Sequence, residues 1–193
     1  MNGLSTPVAR FYSPRARTYD GTQLRSHFAL REFGIVGDSI VAFIGPCRVP
    51  LSRMVDLVDV RERSPIRAAS MVHLIAEHFD ESLEAAVLRQ HVLAAIVAEE
   101  ARQSASKRAD VRRRGNDLFI GRRKLSVSVA TRSPVSTLVH VGINIDPRGA
   151  PVPAVGLREL GIEPEALAHR LLDRYAEECA IAARSRAKVR PVT

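Results

Sequence analysis

The sequence has no tryptophan, and aromatic residues make up only 5% of it. Platforms for stacking nucleobases are therefore scarce, which weighs against single-stranded nucleic acid as the main ligand. Its only cysteines are Cys47 and Cys179. They form neither a disulfide framework nor a metal-binding spacing, so a reducing cytoplasm is the expected compartment. No apolar run approaches the roughly 18 residues of a membrane span. The N-terminal stretch "MNGLSTPVARFYSPRAR" lacks the apolar segment of a secretory signal. Acids are the minority charge: 21 Asp and Glu stand against 29 Lys and Arg, a net charge of +8. That balance favours anionic partners, whether small carboxylates and phosphates or nucleic acid.

What is present fits an ordinary globular chain. The 193 residues are 46% hydrophobic and 26% charged, enough to bury one real core. The positive charge is clustered. Residues 107–124 hold eight Lys and Arg against two Asp, and the tail "RSRAKVRPVT" holds four and no acid. Three parts are expected: an N-terminal arm over 1–24, a single domain over 25–183, and a basic tail over 184–193.

Within the domain, Gly34 and Gly37 separate expected strands at 25–33 and 38–44. "GPCRVP" at 45–50 reads as a turn, and the alternation in "MVDLVDV" predicts a short strand over 54–60. Ser64-Pro65 looks like a helix start, and Met71, Ile75 and Phe79 recur every four residues, so a helix to 79 is expected. "DESLEAAVLRQHVLAAIVAEEARQSA", over 80–105, has the clearest helical stripe. Strands follow at 111–120, 123–131 and 137–146, then a helix at 164–183 that opens with Pro164. This order predicts an α+β domain with a largely antiparallel mixed sheet and helices packed on one face. An exposed edge at 111–114 would suit a homodimer.

The late strands suggest a site. Alternation puts Val139, Val141, Ile143 and Ile145 on one face and His140, Gly142 and Asn144 on the other. In 123–131 it groups Lys124, Ser126 and Ser128. A sheet face with so little bulk leaves room for a ligand. An ammonium among hydroxyls suits a carboxylate, a phosphate or a developing oxyanion.

These same residues resemble the biotin and lipoate protein ligase superfamily. "RGNDLFIGRRKLSVSVAT" is similar to its hairpin, and "VHVGINID" to the strand that follows. "AVGLRELGIEPEALAHRLLDRYAEE" is similar to its closing helix. Across most of the chain, "GDSIVAFIGPCRVPLSRMVDLVDV" and "KLSVSVATRSPVSTLVHVGINID" resemble the domain of unknown function 366 family. The superfamily resemblance implies that Lys124 touches the carboxylate and phosphate of an acyl-adenylate, or activates the acyl group in the transferases, and that Asn116 lies near the nucleotide or metal; if the substrate is activated before transfer, ATP and Mg²⁺ are the expected cofactors. The chain has no Arg/Gly-rich loop in its first half and no "PCG" turn after 137–146.

Other candidates complete the expected site. Cys47, beside Arg48 and within reach of His140, is a candidate nucleophile. Arg113 and Arg114 are candidate phosphate contacts, and Asp56 or Asp59 could point inward. Read on a helix, His73 and His78 do not share a face, so no metal site is expected. Three function classes follow: a ligase or acyltransferase acting on a carboxylate-bearing substrate, a binding module with the same pocket but no chemistry, and a nucleic-acid binder using the 107–124 cluster.

Overall fold

The computed structural model describes residues 8–79, 82–106 and 109–192. The elements run β1 (Ala9–Ser13), α1 (Phe28–Phe33), β2 (Ser39–Val49), a 3-10 turn (Leu51–Arg53), α2 (Leu57–Arg61), β3 (Ile66–Phe79) and α3 (Leu83–Ser104). Then come β4 (Val111–Arg114), β5 (Asp117–Ile120), β6 (Arg123–Lys124), β7 (Ser126–Arg132), β8 (Ser136–Asp146), a 3-10 turn (Leu157–Leu160) and α4 (Pro164–Ala187). The main sheet has the order β1-β2-β3-β8-β7, and β4-β5-β6 form a second, smaller sheet. Only β1 runs parallel to its neighbour in the main sheet. The α+β expectation with a largely antiparallel mixed sheet therefore holds.

The main sheet has two unlike faces. Ile40, Val72, Leu74, Val139, Val141 and Ile143 pack with α3 and α4 in the larger core. Ser82 caps α3 by accepting a hydrogen bond from Ala85 N, and Pro164 stands in the first turn of α4. Glu100 of α3, almost fully buried, accepts hydrogen bonds from Arg170 and Arg174 of α4. The opposite face carries Val41, Phe43, Cys47, Met71, Ile75 and Leu138, covered by Tyr19 and α1 in a second core. Among the described residues no helix is long and apolar enough to cross a membrane.

Several local expectations are corrected. The region 66–79 is a central strand, not a helix. Its neighbours bury both faces, so its apolar residues do not alternate cleanly. A repeat of four residues satisfies a period of 2 as well as one of 3.6, and that is where the helix reading failed. "GPCRVP" is not a turn: Gly45 to Val49 form the second half of β2, with a register shift between Gly45 and Cys47, and Pro50 follows the strand. The expected strand at 25–33 is instead the short helix α1. Buried Glu77 supplies its start, accepting from His27 N and Ala29 N. The expected strand at 54–60 is α2, where Asp56 accepts from Val58 N and Asp59 N as an N-cap. The single strand 111–120 is a hairpin turning at Gly115 (φ +62°).

The arm also takes part in the fold. After β1 the chain follows the second half of β2: Arg17 N donates to Ile44 O, Tyr19 N to Pro46 O, and Arg48 N to Tyr19 O. A methyl group on Gly45 would stand 1.9 Å from Arg17 O, so only glycine admits this crossing. The crossing carries Tyr19 over the sheet.

Candidate functional site

On the face away from α3 and α4 lies a cavity of about 210 Å³. The sheet contributes Met71, Val127, Val129, His140 and Asn144. The start of α2 contributes Asp56 and Asp59, the smaller sheet Asn116, Asp117 and Lys124, and the crossing segment Tyr19.

Lys124 is held from several sides. Its N–H donates to Pro153 O, and its carbonyl accepts from Val155 N and from the Asn144 side chain at 3.1 Å. Its ammonium meets the Asp117 carboxylate at 2.8 Å. Nearby, burial and the Asp56 charge hold the Asp59 carboxyl above its ordinary value, against the pull of Lys124. The cavity wall thus combines the Lys124 ammonium, Arg53 and Arg67 with three carboxylates, Asp56, Asp59 and Asp117.

Behind its wall, His140 forms an imidazole pair with buried His73. His140 Nε2 lies 3.1 Å from His73 Nδ1, and His73 Nε2 lies 3.2 Å from Gly45 O. The Tyr19 ring stacks on His140 with centroids 3.7 Å apart and planes 9° apart. Burial pushes His73 down to about 4, and burial together with His73 holds His140 well below the ordinary histidine value. Both rings are therefore neutral near pH 7.

The expected site residues divide. Lys124, His140, Asn116 and Asn144 meet at the cavity. Gly142 keeps a close approach open: a methyl group there would stand 2.8 Å from Met71 Cε and 3.3 Å from His140 Cε1. Ser126 and Ser128 do not join Lys124 as expected. They pair with Ile143 and Val141 and so share the face that packs on the helices. The chain breaks its alternation at buried Leu125, whose N–H donates to Leu118 O and whose carbonyl accepts from Asn144 N. Ser126 Oγ accepts from Leu118 N. Ser128 borders the cavity, but its hydroxyl is taken up between Gln90 and Asn116 O.

Cys47 is corrected from nucleophile to core residue. It is fully buried in the second core, and burial raises its thiol to about 12, the reverse of what a reactive thiolate needs. Arg113 and Arg114 are exposed on β4 and do not line the cavity. Arg113 donates to Gly115 O, and Arg114 lies over the Phe119 ring. His73, Tyr19 and Asp117 were missed. His73 was hidden by the helix reading of β3. For Tyr19 the sequence offers no signal, because a tertiary crossing brings it to the site. Among the described residues no cluster of three or more His, Cys, Asp or Glu could hold a metal ion.

Known proteins share this fold. An uncharacterized protein of Methanocaldococcus jannaschii is 34% identical over 167 residues, covering 83% of this chain and 74% of that one. A Pyrococcus horikoshii protein of unknown function superposes with a TM-score of 0.91 at 39% identity, covering 96% of this chain and all of that one. The Aquifex aeolicus biotin protein ligase in complex with biotin and ATP matches with a TM-score of 0.56 at 17% identity, covering 88% of this chain and 69% of that chain. The fold is that of the biotin and lipoate protein ligases. The domain of unknown function DUF366 matches residues 10–190, and the chain belongs to that family.

Proposed function

We propose that the cavity binds a small carboxylate-bearing or acyl molecule, and that Lys124 supplies the cation for its anionic end and stabilises charge developing there during ligation or acyl transfer. The observation that carries this reading is the placement of the Lys124 ammonium, only 27% exposed, in a cavity wall. A half-buried ammonium beside an apolar sheet face attracts an anion more strongly than one in open water. Asp117 competes for the same charge, so a bound carboxylate would share Lys124 with it or displace it. The likeness in fold to a ligase solved with biotin and ATP supports a cavity for an organic acid.

ATP and Mg²⁺ would have to be placed without a ready metal cluster, since the described residues offer none. At about 210 Å³, the cavity is below the roughly 300–1,000 Å³ usual for larger ligands. It suits the acyl part of a substrate, and no step is assigned to a nucleotide or metal. The same pocket without turnover would make the chain a binding module. A second reading rests on the exposed Arg112, Arg113, Arg122 and Arg123 of the smaller sheet, a surface that could bind nucleic acid. Binding that weakens steeply with salt would favour it.

The test of the main reading is thermal unfolding with biotin, lipoate and straight-chain fatty acids. At least one acid should raise the midpoint, and Lys124→Ala should remove that rise while the circular dichroism stays unchanged. An undiminished rise in Lys124→Ala would overturn the assignment. Product formation on long incubation separates catalyst from binding module.

A further inference from the structure

The imidazole pair has a direction. Gly45 O can only accept, so His73 Nε2 must carry the proton of that 3.2 Å contact. A neutral His73 then has a bare Nδ1, which must accept. His140 Nε2 is therefore the donor across 3.1 Å, and a neutral His140 keeps Nδ1 unprotonated. That last nitrogen has no hydrogen-bond partner among the described residues. It is not among the sealed, unpartnered atoms either, and its ring lines the cavity. One relay, anchored on a backbone carbonyl, thus ends in an unpaired lone pair on a residue of the cavity wall. Tyr19 stacked on the ring prevents it from turning away.

We propose that His140 Nδ1 is a fixed hydrogen-bond acceptor for the ligand, with His73 as the positioning residue that sets its tautomer. The inference rests on the reading of Lys124 above and narrows it. The bound acid must carry, away from its carboxylate, a neutral O–H or N–H group. A plain hydrocarbon acid leaves the acceptor unpaired, and that costs affinity. Gly142 fits this role because any side chain there would crowd His140 Cε1 and Met71 Cε. Substitution of His73 by leucine would remove the acceptor for His140 Nε2–H and free the tautomer. Substitution by glutamine would keep one acceptor and one donor and so preserve it.

The experiment compares matched probes on the intact protein: ω-hydroxy fatty acids of four to eight carbons and the methyl ethers of the same acids. Long-range ¹H–¹⁵N spectra at pH 7 read the tautomers directly. The expected result is an Nε2–H tautomer at both His73 and His140, with at least one hydroxy acid binding about tenfold more tightly than its ether, the worth of roughly one good hydrogen bond. His140→Phe and His73→Leu should abolish that preference, and His73→Gln should retain it. An Nδ1–H or doubly protonated His140 would overturn the inference. So would equal binding of ether and hydroxy acid; if Lys124→Ala still abolished both, the Lys124 reading would survive alone. Failure of every acid to bind would remove both readings. The wild-type spectra and probe pairs decide the matter even if a histidine variant does not fold.

Discussion

Two buried histidine chains lie on opposite faces of one sheet, and they end differently. On the helix side, His78 meets the Asp38 carboxylate at 3.1 Å and the Tyr175 hydroxyl at 2.8 Å. Asp38 also accepts from Phe79 N, so the chain is closed at both ends and ties α4 to the sheet. On the cavity side, His73 and His140 close at Gly45 O and stay open at His140 Nδ1. Equal burial therefore does not mean equal role. A closed network adds rigidity, whereas an open one leaves capacity for a partner.

The contrast can be broken most severely on its closed side. Tyr175→Ala removes a fully buried ring and the hydroxyl that reaches His78. It should cost about 4 kcal/mol in denaturant unfolding while any ligand-induced stabilisation persists in the folded fraction. Acid tests the open side next. The His73 value is lowered when folded, so the unfolded chain binds more protons between about 6.5 and about 4. Stability should therefore be complete above 6.5 and fall as pH drops to 4. The loss is about 3 kcal/mol from His73, and His140 adds in the same direction. Asp38 and Asp20 are held below the ordinary carboxylate value and act lower, as pH falls from 3.8. His73→Gln should shrink the upper window to the part that His140 contributes and leave the lower one.

Gly142→Ala sharpens the comparison at smaller cost. Its methyl group enters the cavity side only, against Met71, His140 and Val127. A loss of about 1–2 kcal/mol is expected in chemical denaturation, with a clear shift in the His140 ring signals and none in those of His78. Lys124→Ala should be the mildest. The Lys124–Asp117 pair is about a quarter exposed and contributes under about 1 kcal/mol to unfolding, so its effect should appear in acid binding rather than in stability.

How far these features could be read from the sequence depended on their cause. α3 and α4 show their periodicity because each has one face in the core and another outside it, whereas β8 is buried on both faces and alternates because one face is aliphatic and the other small or polar. Lys124 and His140 were legible as a pair of polar groups on apolar strands. β3 was not legible, because apolar residues stand on both of its faces, Val72 and Leu74 in one core and Met71 and Ile75 in the other, and leave no alternation. Ser126 and Ser128 were placed on the wrong face because local counting cannot foresee the break at Leu125. The roles of Tyr19, Gly45 and Glu77 depend on chain segments far apart in sequence. Glu77 starts a helix 50 residues upstream, and no local pattern announces that.

Helix α2 has a further consequence. None of its residues is buried, and Leu57 and Val58 are 77% and 63% exposed, yet its cap Asp56 and its Asp59 border the ligand space. Its Val60, partly buried, packs against the second core, so this wall is lightly held, and traffic of small molecules should pass beneath it. Its amides should be among the first to exchange with deuterium.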